Sequence, residues 1–111
     1  MNISEVRRAD RLIVGPVGRL DSATAPILDR HLSALIQRGD TRLVLDLTGV
    51  DYISSTGLSV FLAAAKKIKL VAGGQLALAG LNSRIRLVFE MSGFLRLFPV
   101  FATVDEAVAQ P

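Results

Sequence analysis

The sequence predicts an α/β fold in which a central, mixed but mostly parallel sheet packs against about four helices. One observation is that short runs rich in Leu and Val, such as TRLVLDLTGV, have the nearly continuous apolar pattern of strands buried on both faces. A second is that these runs alternate with helical segments, and crossovers of this length join parallel strands. The 111 residues are predicted to form one domain, spanning residues 1–111.

The first half of the chain is predicted to contain a hairpin, a helix, a buried strand and a second helix. NISEVRR and RLIVGPVGRL indicate two strands that turn near Ala9, so the N-terminal edge of the sheet is antiparallel. The first helix lies within GRLDSATAPILDRHLSALIQRG, with Thr24 as N-cap, Pro26 in the first turn and Gly39 just past the end. The buried strand TRLVLDLTGV comes next, and the following helix lies within DYISSTGLSVFLAAAKK.

The second half is predicted to add two short strands and two helices. QLALAG and LFPVFA have the composition of short strands. Between them, NSRIRLVFEMSGF indicates a helix with its large apolar residues on one side and Gly93 at its end. TVDEAVAQ indicates a last helix, because Thr103 and Glu106 have the spacing of a capping box.

Composition restricts the chemistry that this chain can perform. The absence of cysteine excludes disulfides, thiolate metal sites and cysteine nucleophiles. No nucleophile elbow or phosphate-binding loop is present, so we predict a protein that is not an enzyme and needs no cofactor or metal. His31, the only histidine, lies in an amphipathic helical segment and is interpreted as a surface or packing residue.

Charge and hydropathy restrict the classes of partner that this protein is expected to bind. The net charge of +3 and a pI near 10 favour an anionic partner. Only AAKKIK forms a basic cluster, and no aromatic residues alternate with its lysines, so we predict an acidic protein surface as the partner and no nucleic acid. The polar N-terminus and the absence of an apolar run near 20 residues predict a cytoplasmic protein with no membrane insertion.

Three consecutive hydroxyl residues precede a glycine at the start of the second predicted helix. If Ser55 is the N-cap, one hydroxyl satisfies the exposed backbone N–H group, and the others are surplus. Gly57 within the first turn costs about 1 kcal/mol relative to alanine, which suggests that something approaches the backbone there. Helix N-termini favour anions, so a hydroxyl could carry or adjoin a phosphate. The alternative is a plain N-cap with a glycine required for packing.

Four segments together carry a resemblance to a known family: GRLDSATAPIL, DLTGVDYISSTGL, MSGFLRLF and ATVDEAV. In this order they resemble the STAS domain of bacterial anti-sigma factor antagonists, and the similarity covers essentially the whole chain. The resemblance implies a single STAS domain that binds an anti-sigma factor with serine kinase activity while it is unphosphorylated. Phosphorylation then releases that partner and regulates sigma-factor-dependent transcription; Ser55 is the first candidate for the phosphorylated residue and Thr56 the second. A PP2C-type phosphatase is the expected second partner.

The resemblance leaves an alternative open. Many phosphorylated members carry Asp where this chain has Ser54, so the chain could instead be a member that is never modified. Such a protein would resemble the small STAS adaptor subunit of bacterial lipid-transport ABC complexes. Homodimerisation is also left open.

A surface around the hydroxyl motif is predicted to bind the partner. The second helix has a second apolar row containing Val60 and Ala64, which we interpret as a partner-binding face, the alternative being burial under another helix. Asp46 is expected either to orient the motif loop or to cap an ordinary turn. The predicted partner-binding residues are Asp21, Ser54, Thr56, Gly57, Val60, Ala64 and Lys67.

Overall fold

The computed structural model describes residues 1–110. Its strands and helices occur in the following order along the chain: β1 (Asn2–Arg8), β2 (Arg11–Leu20), α1 (Ala25–Gln37), β3 (Arg42–Asp46), β4 (Val50–Ile53), α2 (Ser55–Lys69), β5 (Gln75–Ala79), α3 (Ser83–Ser92), β6 (Val100–Phe101) and α4 (Val104–Val108). A short 3-10 turn, Phe94–Arg96, follows α3. No helix in this part of the chain is long and apolar enough to cross a membrane.

The strands form one mixed sheet in the order β1-β2-β3-β5-β6, with β4 beside β2. β1 and β2 are antiparallel, and every other pairing is parallel. The predicted fold class, with an antiparallel N-terminal edge on a mostly parallel sheet, is therefore confirmed.

The β4 strand was not predicted, because TRLVLDLTGV has the pattern of one continuous strand. Strand β3 ends at Asp46, whose carboxylate accepts hydrogen bonds from the backbone N–H (3.1 Å) and hydroxyl of Thr48. This bonding turns the chain, and β4 then pairs with Gly18–Leu20 near the end of β2. Of the two interpretations of Asp46, the structure supports turn capping.

Helices of unequal size cover the two faces of the sheet. The main core packs α1, α2 and α3 against one face, with Phe89 at its centre beside the rings of Phe61, Phe94 and Phe98 at 5.8, 6.5 and 6.3 Å. A smaller cluster packs the short α4 against the other face through Ala107. The buried Arg11 guanidinium donates to backbone oxygens at the end of α4, so it attaches that helix to the sheet.

Most predicted helix ends are confirmed. Gly93 ends α3 in the left-handed conformation, and Thr103 accepts a hydrogen bond from the Glu106 N–H at 3.1 Å at the start of α4. Gly39 follows α1 with a positive φ of 97°. Thr24 occupies the N-cap position of α1 but makes no side-chain cap, because its hydroxyl donates to the carbonyl of Arg19 at 2.6 Å.

Candidate functional site

The pairing of β4 with β2 brings the hydroxyl motif beside the loop that precedes α1. Ile53 is paired with Leu20, and the N–H of Ser54 donates to the Leu20 carbonyl at 2.9 Å. Asp21 directly follows Leu20 in the chain. The sheet therefore places two segments that are distant in sequence, residues 19–24 and 52–57, at the same end of the molecule.

Ser54 is the N-cap of α2. Its backbone is still extended (φ −93°, ψ 172°), and its Oγ accepts a hydrogen bond from the N–H of Gly57 at 3.2 Å. The supposition that Ser55 is the N-cap is therefore wrong, and Ser55 is instead the first residue of the helix. The reason is that β4 ends at Ile53 and the Ser54 N–H is bound by the Leu20 carbonyl, so the helix begins one residue earlier than supposed.

This arrangement leaves the side chain of Ser55 exposed, and its hydroxyl takes no part in capping the helix. Within residues 1–110 neither the Ser55 nor the Thr56 hydroxyl has a hydrogen-bond partner, and both residues are exposed. Their N–H groups belong to the first turn, where no helical carbonyl can accept them. The first turn holds no acidic side chain, so an added negative charge would meet the positive end of the helix dipole.

Gly57 is required by packing inside the domain. A β-carbon at this position would lie 2.9 Å from the Leu20 carbonyl oxygen, 3.0 Å from Leu20 Cγ and 3.1 Å from Ile53 Cγ1. The atoms that approach Gly57 belong to β2 and β4, and the residue is buried. The interpretation that a partner or phosphate approaches this glycine is therefore wrong, and the packing alternative is correct.

The second apolar row of α2 lies inside the domain. Val60 and Ala64 are only 6% and 4% exposed, because α1 packs alongside α2. Lys67 bridges the same two helices by donating to the Ser33 hydroxyl at 2.9 Å. The prediction of an exposed partner-binding face at Val60 and Ala64 is therefore wrong.

An open groove of about 280 Å³ remains between the first turns of α1 and α2. Thr56 and Ser59 line it from α2, and Pro26 and Asp29 line it from α1. Thr56 therefore faces this groove, one residue after Ser55. The accessible part of the predicted surface lies at the start of α2, and Val60 is the member of the buried row that also lines this groove.

The carboxylate of Asp21 holds the loop between β2 and α1. It accepts hydrogen bonds from the backbone N–H groups of Thr24 (3.2 Å) and Ala23 (3.0 Å), and these bonds hold the pKa of Asp21 below its ordinary value. Asp21 lies beside the motif, and its contact with a partner stays a prediction. Its carboxylate oxygens accept hydrogen bonds mainly from residues of the loop itself.

Arg19 and Tyr52 lie next to the motif and were missed in the sequence. The Arg19 guanidinium carbon stands 4.2 Å from the centre of the Tyr52 ring, and its Nε is 3.7 Å from the Asp21 carboxylate. Tyr52 is 41% exposed. The residues belong to paired strands, and this pairing could not be seen while β4 was unrecognised.

The only histidine has a surface role. His31 Nε2 lies 2.6 Å from a carboxylate oxygen of Glu5 on β1, in agreement with its interpretation as a surface or packing residue. Across residues 1–110, no group of three His, Cys, Asp or Glu side chains is arranged to hold a metal ion.

Comparison with known proteins assigns the family. The STAS domain family matches residues 2–107. BtrV of Bordetella bronchiseptica, which carries the name of an anti-sigma factor antagonist, is 46% identical over 83% of this chain and 78% of its own length. The anti-sigma-B factor antagonist of Bacillus subtilis is 30% identical over 97% of both chains. The structure of phosphorylated SpoIIAA of Bacillus covers 96% of both chains with a TM-score of 0.73 and 21% identity. This chain therefore belongs to the STAS-domain family of anti-sigma factor antagonists.

Proposed function

We propose that the unphosphorylated chain binds an anti-sigma factor that is also a serine kinase, and that phosphorylation of Ser55 releases this partner. The anti-sigma factor is free to inhibit its sigma factor only after release, so the chain controls transcription by exchange of partners. A PP2C-type phosphatase would restore the binding form. The observation that carries the proposal is that the Ser55 hydroxyl is exposed and is not needed to cap α2, because the neighbouring Ser54 is the N-cap.

The chemistry at Ser55 is a phosphoryl transfer from the ATP of the kinase. The Ser55 oxygen forms a bond to the γ-phosphorus, the bond to the β-phosphate bridging oxygen breaks, and the hydroxyl proton passes to a base of the kinase. ADP leaves. The product carries a charge of about −1.5 to −2 at neutral pH, at a helix end that accommodates negative charge.

Phosphorylation should change binding while leaving the fold intact. Capping by Ser54 uses the Gly57 N–H and does not involve the Ser55 hydroxyl. Ser and Asp are comparably good N-caps, so Ser54 can fill the structural role of the Asp that many phosphorylated members carry. A partner surface that packs over Ser55 would have to desolvate the new charge, which is strongly unfavourable without a cationic group to pair with it.

The proposed contact surface surrounds Ser55. It contains Ser54, the exposed side chain of Thr56 and the loop held by Asp21. Thr56 is the second candidate for modification, because its hydroxyl is exposed at the edge of the groove between α1 and α2. Lys67 lies more than two turns further along α2 and is bonded to Ser33, so its contact with a partner would be peripheral.

Phosphate mapping tests the proposal. Wild type, Ser55→Ala and Ser83→Ala would be incubated with host lysate and ATP, and the modified peptides located by mass spectrometry. Ser83 is a matched control, because it is the first residue of α3 and follows its own N-cap, Asn82. We expect one phosphate on wild type and Ser83→Ala and none on Ser55→Ala. An unmodified wild type that co-purifies with a transporter ATPase would contradict the proposal and favour the adaptor function.

A further inference from the structure

Arg19 and Tyr52 form a small exposed unit on the sheet. They are partners in the register of β2 and β4, and their neighbours Leu20 and Ile53 are buried under the helices. Because successive side chains of a strand point to opposite faces, Arg19 and Tyr52 face away from the main core. This part of the opposite face lies beyond the cluster that α4 covers.

The two side chains contact each other outside the core. The guanidinium lies 4.2 Å from the ring centre, and its Nε is 3.7 Å from the Asp21 carboxylate. The Arg19 side chain is nevertheless 61% exposed, and within residues 1–110 the Tyr52 hydroxyl has no hydrogen-bond partner. A guanidinium stacked on a ring keeps N–H groups directed outward, where they can bind a carboxylate in a planar, bidentate manner.

The pair also lies close to Ser55. Ser55 lies three positions after Tyr52, so their Cα atoms are at most about 11 Å apart. A standard interface buries about 800 Å² on each partner, and a circular patch of that area has a radius of about 16 Å. A partner that covers Ser55 and extends around the end of β4 onto the face opposite the main core would therefore be able to reach Arg19 and Tyr52.

We propose that Arg19 and Tyr52 anchor the anti-sigma factor, with the Arg19 guanidinium binding a carboxylate side chain of that partner and the Tyr52 ring packing against it. This inference rests on the proposed function. Tyr and Arg are the residue types enriched among interface positions that dominate affinity. The guanidinium already contacts the Tyr52 ring and the Asp21 carboxylate before binding, which reduces the side-chain freedom lost when the partner docks.

This contact also explains how a phosphate at Ser55 could release the partner. The phosphate would add negative charge to the same contact surface as the carboxylate bound by Arg19, and the two negative groups would repel each other. It could also compete for the same guanidinium. Release would then depend on Arg19 as well as on steric exclusion at Ser55.

The experiment measures affinity for the purified anti-sigma kinase that the wild-type chain captures from host lysate, titrated in the presence of ADP. We expect Arg19→Glu and Tyr52→Ala each to weaken binding by roughly 30-fold, as expected for interface anchors. Tyr52→Phe retains the ring and should bind within about twofold of wild type. Leu70→Ala is the control, because Leu70 is 88% exposed but lies about 22 Å along α2 from Ser55.

Two further measurements separate the possible failures. Thermal unfolding of each variant excludes misfolding as the cause of weaker binding. If Ser55→Asp loses binding while Arg19→Glu and Tyr52→Ala bind within about twofold of wild type, the inference is wrong and the proposed function stands. If Ser55→Asp binds as tightly as wild type, the proposed function itself is wrong.

Discussion

Replacement of Gly57 by alanine tests whether helix propensity or packing has the larger effect on stability at this position. Position 57 lies in the first turn of α2, where alanine is intrinsically favoured over glycine by up to about 1 kcal/mol. Propensity alone therefore predicts a more stable protein. The structure instead predicts a less stable protein, because atoms of β2 and β4 leave no room for a β-carbon at position 57.

The magnitude follows from the distances around the missing side chain. A β-carbon would lie 2.9 Å from the Leu20 carbonyl oxygen, which is backbone and also accepts the N–H of Ser54. It would lie 3.0 and 3.1 Å from carbons of Leu20 and Ile53. Overpacking of this kind destabilises by about 1–3 kcal/mol, so a net loss of up to about 2 kcal/mol remains after the gain in propensity.

Urea and thermal unfolding measure this loss. Each kcal/mol lost lowers the midpoint by about 4 °C for a domain of this size, so the midpoint should fall by up to about 8 °C. Ser59→Ala is the matched control, because Ser59 is exposed on the same helix and should change stability by less than about 0.5 kcal/mol. A Gly57→Ala variant more stable than wild type would refute the packing account.

The remaining stability predictions concern the helix cap, the aromatic core and an ion-paired carboxylate. Ser54→Ala should lower the free energy of unfolding, measured in urea, by about 1 kcal/mol, whereas Ser54→Asp should leave it unchanged. An equal loss in Ser55→Ala would show that the cap is misassigned. Phe89→Ala should lose about 3–5 kcal/mol, because Phe89 is fully buried among three other rings, and a loss below 2 kcal/mol would contradict this packing. The hydrogen bonds from Arg38 and then Arg7 hold the pKa of Asp40 below its ordinary value of 3.8. The stability advantage of wild type over Asp40→Asn should therefore be fully present above about pH 4 and should disappear as the pH falls through the folded-state pKa. A constant difference between pH 7 and pH 2 would argue against that linkage.

Features that depend on local chemistry could be predicted from the sequence. The buried strands, the turn at Ala9, Gly93 at the end of α3 and the Thr103 cap each have a local pattern with a direct physical cause. The hydroxyl motif could also be placed at a helix start, because three short polar residues before an apolar run indicate an N-terminus.

Features that depend on distant parts of the chain could not be predicted. Strand β4 exists because β2 has ten residues, enough to pair with both β3 and β4 along its length. The same pairing decides which of the adjacent hydroxyls caps the helix, since the Leu20 carbonyl binds the N–H of Ser54. Burial of Val60 likewise depends on where α1 packs, which periodicity within α2 cannot reveal.

The central claim is a binding switch at Ser55, and a pull-down from host lysate with ADP tests it most directly. Wild type, Ser55→Ala, Ser55→Asp and the matched control Ser83→Asp would serve as baits, each checked for folding by circular dichroism. The account predicts that all except Ser55→Asp capture the same anti-sigma kinase. Equal capture of one partner by all four baits would contradict a phosphorylation switch, and a transporter ATPase as that partner would make the chain a constitutive adaptor.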